Sequence, residues 1–199
     1  MSKLSEFFKR KNIEISAKRY GIDALGAMAQ GLFCSLLIGT IIKTLGQQLG
    51  VQMLVDIGTY ASAMSGPAMA VAIGYALKAD PMVMYSLAAV GWAANAEGGA
   101  GGPLAVLIIA IIAAEFGKMV SRETKVDILV TPAVTVLVGV ALAKLIAPPI
   151  GSAARSFGVI IDQATKLQPF WMGIAVSVLV GIALTLPISS AAICTVLQL

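Results

Sequence analysis

The sequence predicts an all-α integral membrane protein with about six transmembrane helices and a C-terminal apolar stub. Its N-terminus is expected in the cytoplasm, and its interrupted helices are expected to surround a midplane cavity. Three observations carry this expectation. First, 58% of the 199 residues are AVILMFWYC and only 12% are charged, against roughly 25% charged in ordinary soluble domains. Mean hydropathy is +0.92, and a soluble fold of this length still exposes too much surface to hide so many apolar side chains. Second, charges are spaced so that uncharged stretches of 16 to 21 residues recur, near the ~20 residues that cross a bilayer. Third, basic residues segregate by side, as membrane topology demands. The same figures exclude disordered, collagen-like and disulfide-rich secreted chains.

The elements follow in order. Residues 1–20 form a basic amphipathic segment, in which Leu4, Phe7 and Phe8 share one face beside Lys3, Glu6, Lys9 and Arg10. That pattern suits a helix lying on an anionic inner leaflet, or a basic tail that only sets topology. It is not a cleavable signal peptide, because its following apolar run is too long. Residues 21–199 form the polytopic domain, with spans near 22–43, 52–77, 81–97, 103–120, 127–147 and 169–186, and a stub at 188–199. All should be helices, since in hydrocarbon only helices and closed barrels satisfy the backbone. The runs Leu104–Ala114 and Val134–Ala143 also lack the alternation of barrel strands. Between 147 and 169, Pro148–Gln168 is an outer segment in which Phe157, Ile160 and Ile161 recur at helical spacing. It reads as a second interfacial helix or as a gating element.

Orientation follows from counting. Six basic residues lie in the first 20, and N-in placement groups them with Lys78, Lys118, Arg122 and Lys125, giving ten. Lys43, Lys144, Arg155 and Lys166 remain on the far side. Asp23 and Glu115 are accounted for by a helix start and by an interface pair with Lys118, and Asp80 by the turn before Pro81.

The chain has no histidine, which removes His acid/base chemistry and His metal sites. Cys34 and Cys194 are isolated in apolar runs and read as small buried hydrophobes. No catalytic residue, metal site or cofactor is expected, and no Walker A, G-x-S-x-G or H-E-x-x-H motif occurs.

Candidate functional residues come from the interruptions, because transporters place their sites where broken helices line a cavity. Gly66-Pro67 falls inside the second span, and Pro187 inside the last apolar stretch. Both are expected to shape the cavity, or only to bend packed helices. A sharper interruption is Asn95–Pro103, whose Gly98, Gly99, Gly101 and Gly102 precede Pro103. The span before it is short, so Glu97 can lie below the membrane surface. Asn95, Glu97 and Trp92 together offer an amide, a carboxylate and an aromatic plate, which a hydroxyl-rich solute requires. Asp56 is a fourth candidate contact, at the start of the second span. A solvated outer hairpin is the alternative reading of Glu97.

The stretches Ile13–Gly46, Asn95–Pro103 and Leu186–Cys194 resemble the IIC-type membrane subunit of bacterial phosphotransferase-system sugar transporters. Within that family they are similar to the branch named for the perfringolysin-O regulator, PfoR, of whose usual length this chain looks like the N-terminal part. The resemblance implies a multi-pass permease of the bacterial plasma membrane, a homodimer. It also implies a sugar substrate handed to a cytoplasmic IIB protein, with phosphotransfer depending on separate IIA and IIB proteins. Cys194-Thr195 lies in an apolar segment where no IIB partner reaches it. The Gly-Ile-Thr-Glu motif of glucose-type relatives is absent, so the role of Glu97 rests on its local chemistry. Two further readings stay open: a transport-inactive membrane regulator of PfoR type, and an ion or small-solute channel with Asp56 and Glu97 facing a pore. No nucleic-acid-binding module is present.

Overall fold

The computed structural model describes residues 3–165 and 177–178. Pro187, the stub 188–199, Cys194 and nearly all of the expected span 169–186 lie outside the described residues. Helices α1 (Lys3–Arg10), α2 (Ala24–Leu32), α3 (Ile38–Leu49), α4 (Gln52–Ala63), α5 (Ser65–Ala76), α6 (Pro81–Gly98), α7 (Gly102–Val120) and α8 (Asp127–Thr165) make up the fold, with no strand among the described residues. Wide π turns at Arg19–Asp23 and Phe33–Leu37 join α2 and α3 into one rod, Arg19–Leu49.

Among the described residues, three helical stretches are long and apolar enough to cross a membrane: Arg19–Leu49, Pro81–Val120 and Asp127–Ser156. The second folds back on itself at Gly99–Gly101, so that Gly98 meets Ala105 and Val83 meets Gly117. α8 then runs alongside, setting Thr135 against Gly117 and Gly139 against Val90 and Ala113. On the other flank, α5 is antiparallel to α6, and α4 is antiparallel to α3, with Gly58 against Gly39 and Lys43. The core lies between α2, α5, α6, α7 and α8 and is built from Met28, Met69, Ile73, Leu87, Val90, Ile109 and many alanines. The outer face is apolar too: Leu137 and Leu145 are 70% and 72% exposed. An aqueous fold would bury such residues, whereas lipid solvates them.

Two boundaries differ from the sequence reading. The second span breaks at Met64 rather than at Gly66-Pro67, which sit in the first turn of α5. Proline explains the offset: its ring clashes with the carbonyl four residues earlier and it has no N–H to bond there, so α4 must stop at Ala63. The span expected to close at 147 continues instead through Pro148 and Pro149 to Thr165. The Pro-Pro pair costs two hydrogen bonds without ending the helix. Ser152 Oγ donates to the Pro149 carbonyl at 2.8 Å and supports that turn.

The alternating directions gather the N-terminal segment, the Lys78–Pro81 turn and the Lys118–Lys125 segment at one end of the bundle. The glycine-rich turn lies at the opposite end.

Candidate functional site

The glycine-rich end is assembled by backbone contact. Gly99 takes φ +50°, a region open to glycine at little cost, and this lets α6 reverse into α7 within three residues. Pro103 lies in the first turn of α7, where its missing N–H costs least. The turn does not stand free. A Cβ on Gly101 would meet the Ile150 carbonyl oxygen at 2.9 Å, and one on Gly151 would strike the Gly98 carbonyl. The turn is therefore seated on α8.

Asn95 lies one turn before the reversal, and it is half-buried. Its Cβ faces Gly66 at the start of α5, while its Oδ1 faces Gly102 at the start of α7. Gly66 also rests on the Gly91 carbonyl, so close that any side chain there would collide with backbone. Two of the sequence-predicted interruptions thus meet at one amide. Trp92 is one turn back on the same helix and 51% exposed. Glu97, two residues on from Asn95, points elsewhere, as the 100° step of a helix requires. Its carboxylate pairs with Lys144 of α8 at 3.3 Å. Asp56 belongs to a different part of the fold: it is exposed on α4 and accepts a hydrogen bond from Gln52 at 2.9 Å.

An apolar groove of about 600 Å³ runs between the Arg19–Leu49 rod and α5. Pro67 and Met64 line it with Gln30, Cys34 and Tyr75. The helix break accordingly opens onto this groove, while Asn95, Glu97, Trp92 and Asp56 lie away from its walls. Cys34, expected to be buried, is exposed on the face of the rod that borders the groove.

The basic end is held by charge. Lys118 is buried and pairs with Glu115 at 3.1 Å, as the sequence spacing implies. It also donates to the carbonyls of Asn12 and Leu77, at 2.8 and 3.1 Å. Arg19, likewise buried, donates to the same Leu77 oxygen at 2.6 Å. Tyr20 contacts Glu115 at 3.2 Å. Above this layer α1 is docked: Arg10 and Lys11 both hold Glu123, and Lys11 donates to the Ser121 carbonyl. The hydrogen bond from Lys11, with help from both cations' charge, holds the Glu123 carboxyl below its usual range. Asp80 accepts from Ser121 and Arg122 at 2.7 and 2.6 Å. A polar cavity of about 280 Å³ is left between these groups. Sequence reasoning missed both this cavity and the Lys144 partner of Glu97. The expected topology held the signal for each, because it set Lys144 on the side of Glu97 and ten basic residues on the other.

Among the described residues, no group of three His, Cys, Asp or Glu side chains could hold a metal ion. Comparison with curated proteins and with solved structures finds no match. A family profile described as phosphotransferase system, EIIC, matches residues 22–199. That match leaves out residues 1–21, the docked N-terminal segment and the first turn of the Arg19–Leu49 rod, and it makes this chain a member of the phosphotransferase-system EIIC family.

Proposed function

We propose that this chain is the membrane permease subunit of a sugar phosphotransferase system, binding a small polar solute, a sugar, and moving it across a bacterial plasma membrane. The observation that supports this most directly is Asn95, standing where the starts of α5 and α7 converge on α6. Gly66 and Gly102 add no side chain there, so the Asn95 amide, which both donates and accepts, is the polar side chain at this junction. Trp92 offers a ring face one turn away, and Glu97 adds an acceptor at the rim of the same helix end. Asp56, exposed on α4 in a different part of the fold, is proposed as a separate contact along the solute's path. Gly66 and Pro67, the Gly98–Pro103 turn and Pro187 shape the path. In this reading the chain has six spans, its basic end faces the cytoplasm and it works as a homodimer. A separate IIB protein phosphorylates the delivered sugar.

The test is sugar uptake, with thermal stabilisation of the purified chain across a panel of sugars, for wild type and Glu97→Gln. The Glu97–Lys144 pair is exposed, and such pairs contribute only about 0.2–1 kcal/mol, so the variant should melt like wild type. Its sugar response should fall roughly tenfold or more, the scale of a lost hydrogen bond to a charged group. If no sugar stabilises intact protein and Glu97→Gln behaves as wild type, the permease reading fails. The regulator of PfoR type then takes its place. One feature favours that second reading: Lys144 already neutralises Glu97.

A further inference from the structure

We propose that the polar cavity at the basic end is a binding site for a phosphate group, carried by a small anion or by a lipid headgroup. Its walls come from three separate pieces of chain: the end of the N-terminal segment, the turn after α5 and the turn after α7. Five cationic side chains and two carboxylates line it, an excess of three positive charges. Both carboxylates are already engaged, Glu123 by Arg10 and Lys11, and Asp80 by Ser121 and Arg122. Lys118 has Glu115 behind it, so two of the three excess charges, at Lys78 and in the Arg10–Lys11 pair, face the cavity without an internal counter-ion. At about 280 Å³, the space equals roughly nine waters at ~30 Å³ each, enough for a tetrahedral anion and part of its hydration shell.

Backbone conformation supplies an independent sign. Asn12, Lys78 and Arg122 are the non-glycine residues with positive φ among the described residues, at 54°, 53° and 61°. All three line this cavity. Left-handed geometry is unfavourable for lysine and arginine, and such outliers gather at functional sites. At Lys78 and Arg122, helix-ending turns that glycine would fill more easily instead aim two cations at one space. Lipid and soluble phosphate share the chemistry that this space would recognise: a compact anion with several acceptor oxygens. The site is separate from the solute contacts, and it stands whether or not the chain transports sugar.

The test uses the full chain and the double variant Lys78→Gly/Arg122→Gly, which removes two charges while giving each turn its preferred residue. The variant should fold and melt no lower than wild type in chloride. In neutral detergent, inorganic phosphate is titrated against chloride at equal ionic strength, with melting temperature as the readout. In nanodiscs, phosphatidylcholine alone is compared with an equal mixture of phosphatidylcholine and phosphatidylglycerol. Wild type should be stabilised by phosphate beyond chloride, by phosphatidylglycerol, or by both. The responding arm identifies the source of the group, and the variant should need roughly tenfold more ligand for the same shift. No response from wild type in either arm, or an undiminished response from the variant, overturns the proposal.

Discussion

At the Gly98–Gly102 end, helices touch through their backbones: Gly66 on the Gly91 carbonyl, Gly151 on the Gly98 carbonyl, Gly101 on Ile150. At the opposite end they touch through long cations: Arg19 and Lys118 on the Leu77 carbonyl, Arg10 and Lys11 on Glu123. Backbone contacts have no tolerance for added volume but ignore salt and pH. Charged contacts accept some change of shape, yet removing one member of the buried Lys118–Glu115 pair strands its partner away from water. The two ends should therefore fail under different perturbations.

Lys118→Met tests the difference with the largest expected effect. It keeps the apolar stem but leaves Glu115 without its cation and the Asn12 carbonyl without its donor, while Arg19 still donates to Leu77. Breaking one side of a buried pair typically costs about 3–5 kcal/mol, and thermal unfolding in detergent should register that loss. Replacing Glu115 as well, with Gln, should recover part of it. Gly66→Val probes the other end, where the new side chain meets backbone that cannot rotate aside. Overpacking costs about 1–3 kcal/mol, and here the loss should be unchanged between low and high salt. A salt-dependent loss would contradict the backbone account. Acidification should have the smallest effect. Because the Glu123 carboxyl is held below its ordinary value of 4.5, its contribution is present above that pH and fades as pH falls through the depressed value. The protection of α1 against hydrogen exchange, referred to the intrinsic rate at each pH, should accordingly fall below pH 4.5, with that of the Gly98–Gly102 turn unchanged.

Much of the fold was legible because lipid leaves so few choices. Uncharged stretches of span length had to become helices, and the placement of Lys and Arg foretold which turns would meet at the basic end. Proline was harder to read. Pro67 breaks its helix three residues upstream, at Met64, because the clash falls on an earlier carbonyl. Pro148-Pro149 looked like a boundary, yet α8 runs through it. The candidate site was legible in part: the glycine turn and Asn95 lie together, while Asp56 lies on another arm. What sequence could not reveal was pairing across helices. Glu97 and Lys144 are 47 positions apart, and the acceptor for Arg19 and Lys118 is a main-chain oxygen, a group every residue carries.

α8 is longer than a membrane crossing requires. Its 39 residues reach about 58 Å at 1.5 Å per residue, nearly twice the ~30 Å of hydrocarbon. It meets the glycine turn at Ile150–Gly151, already about 35 Å from its start. The 14 residues that follow Gly151 carry the helix about 20 Å past this contact, so the glycine turn has a length of helix, rather than a loop, for its neighbour.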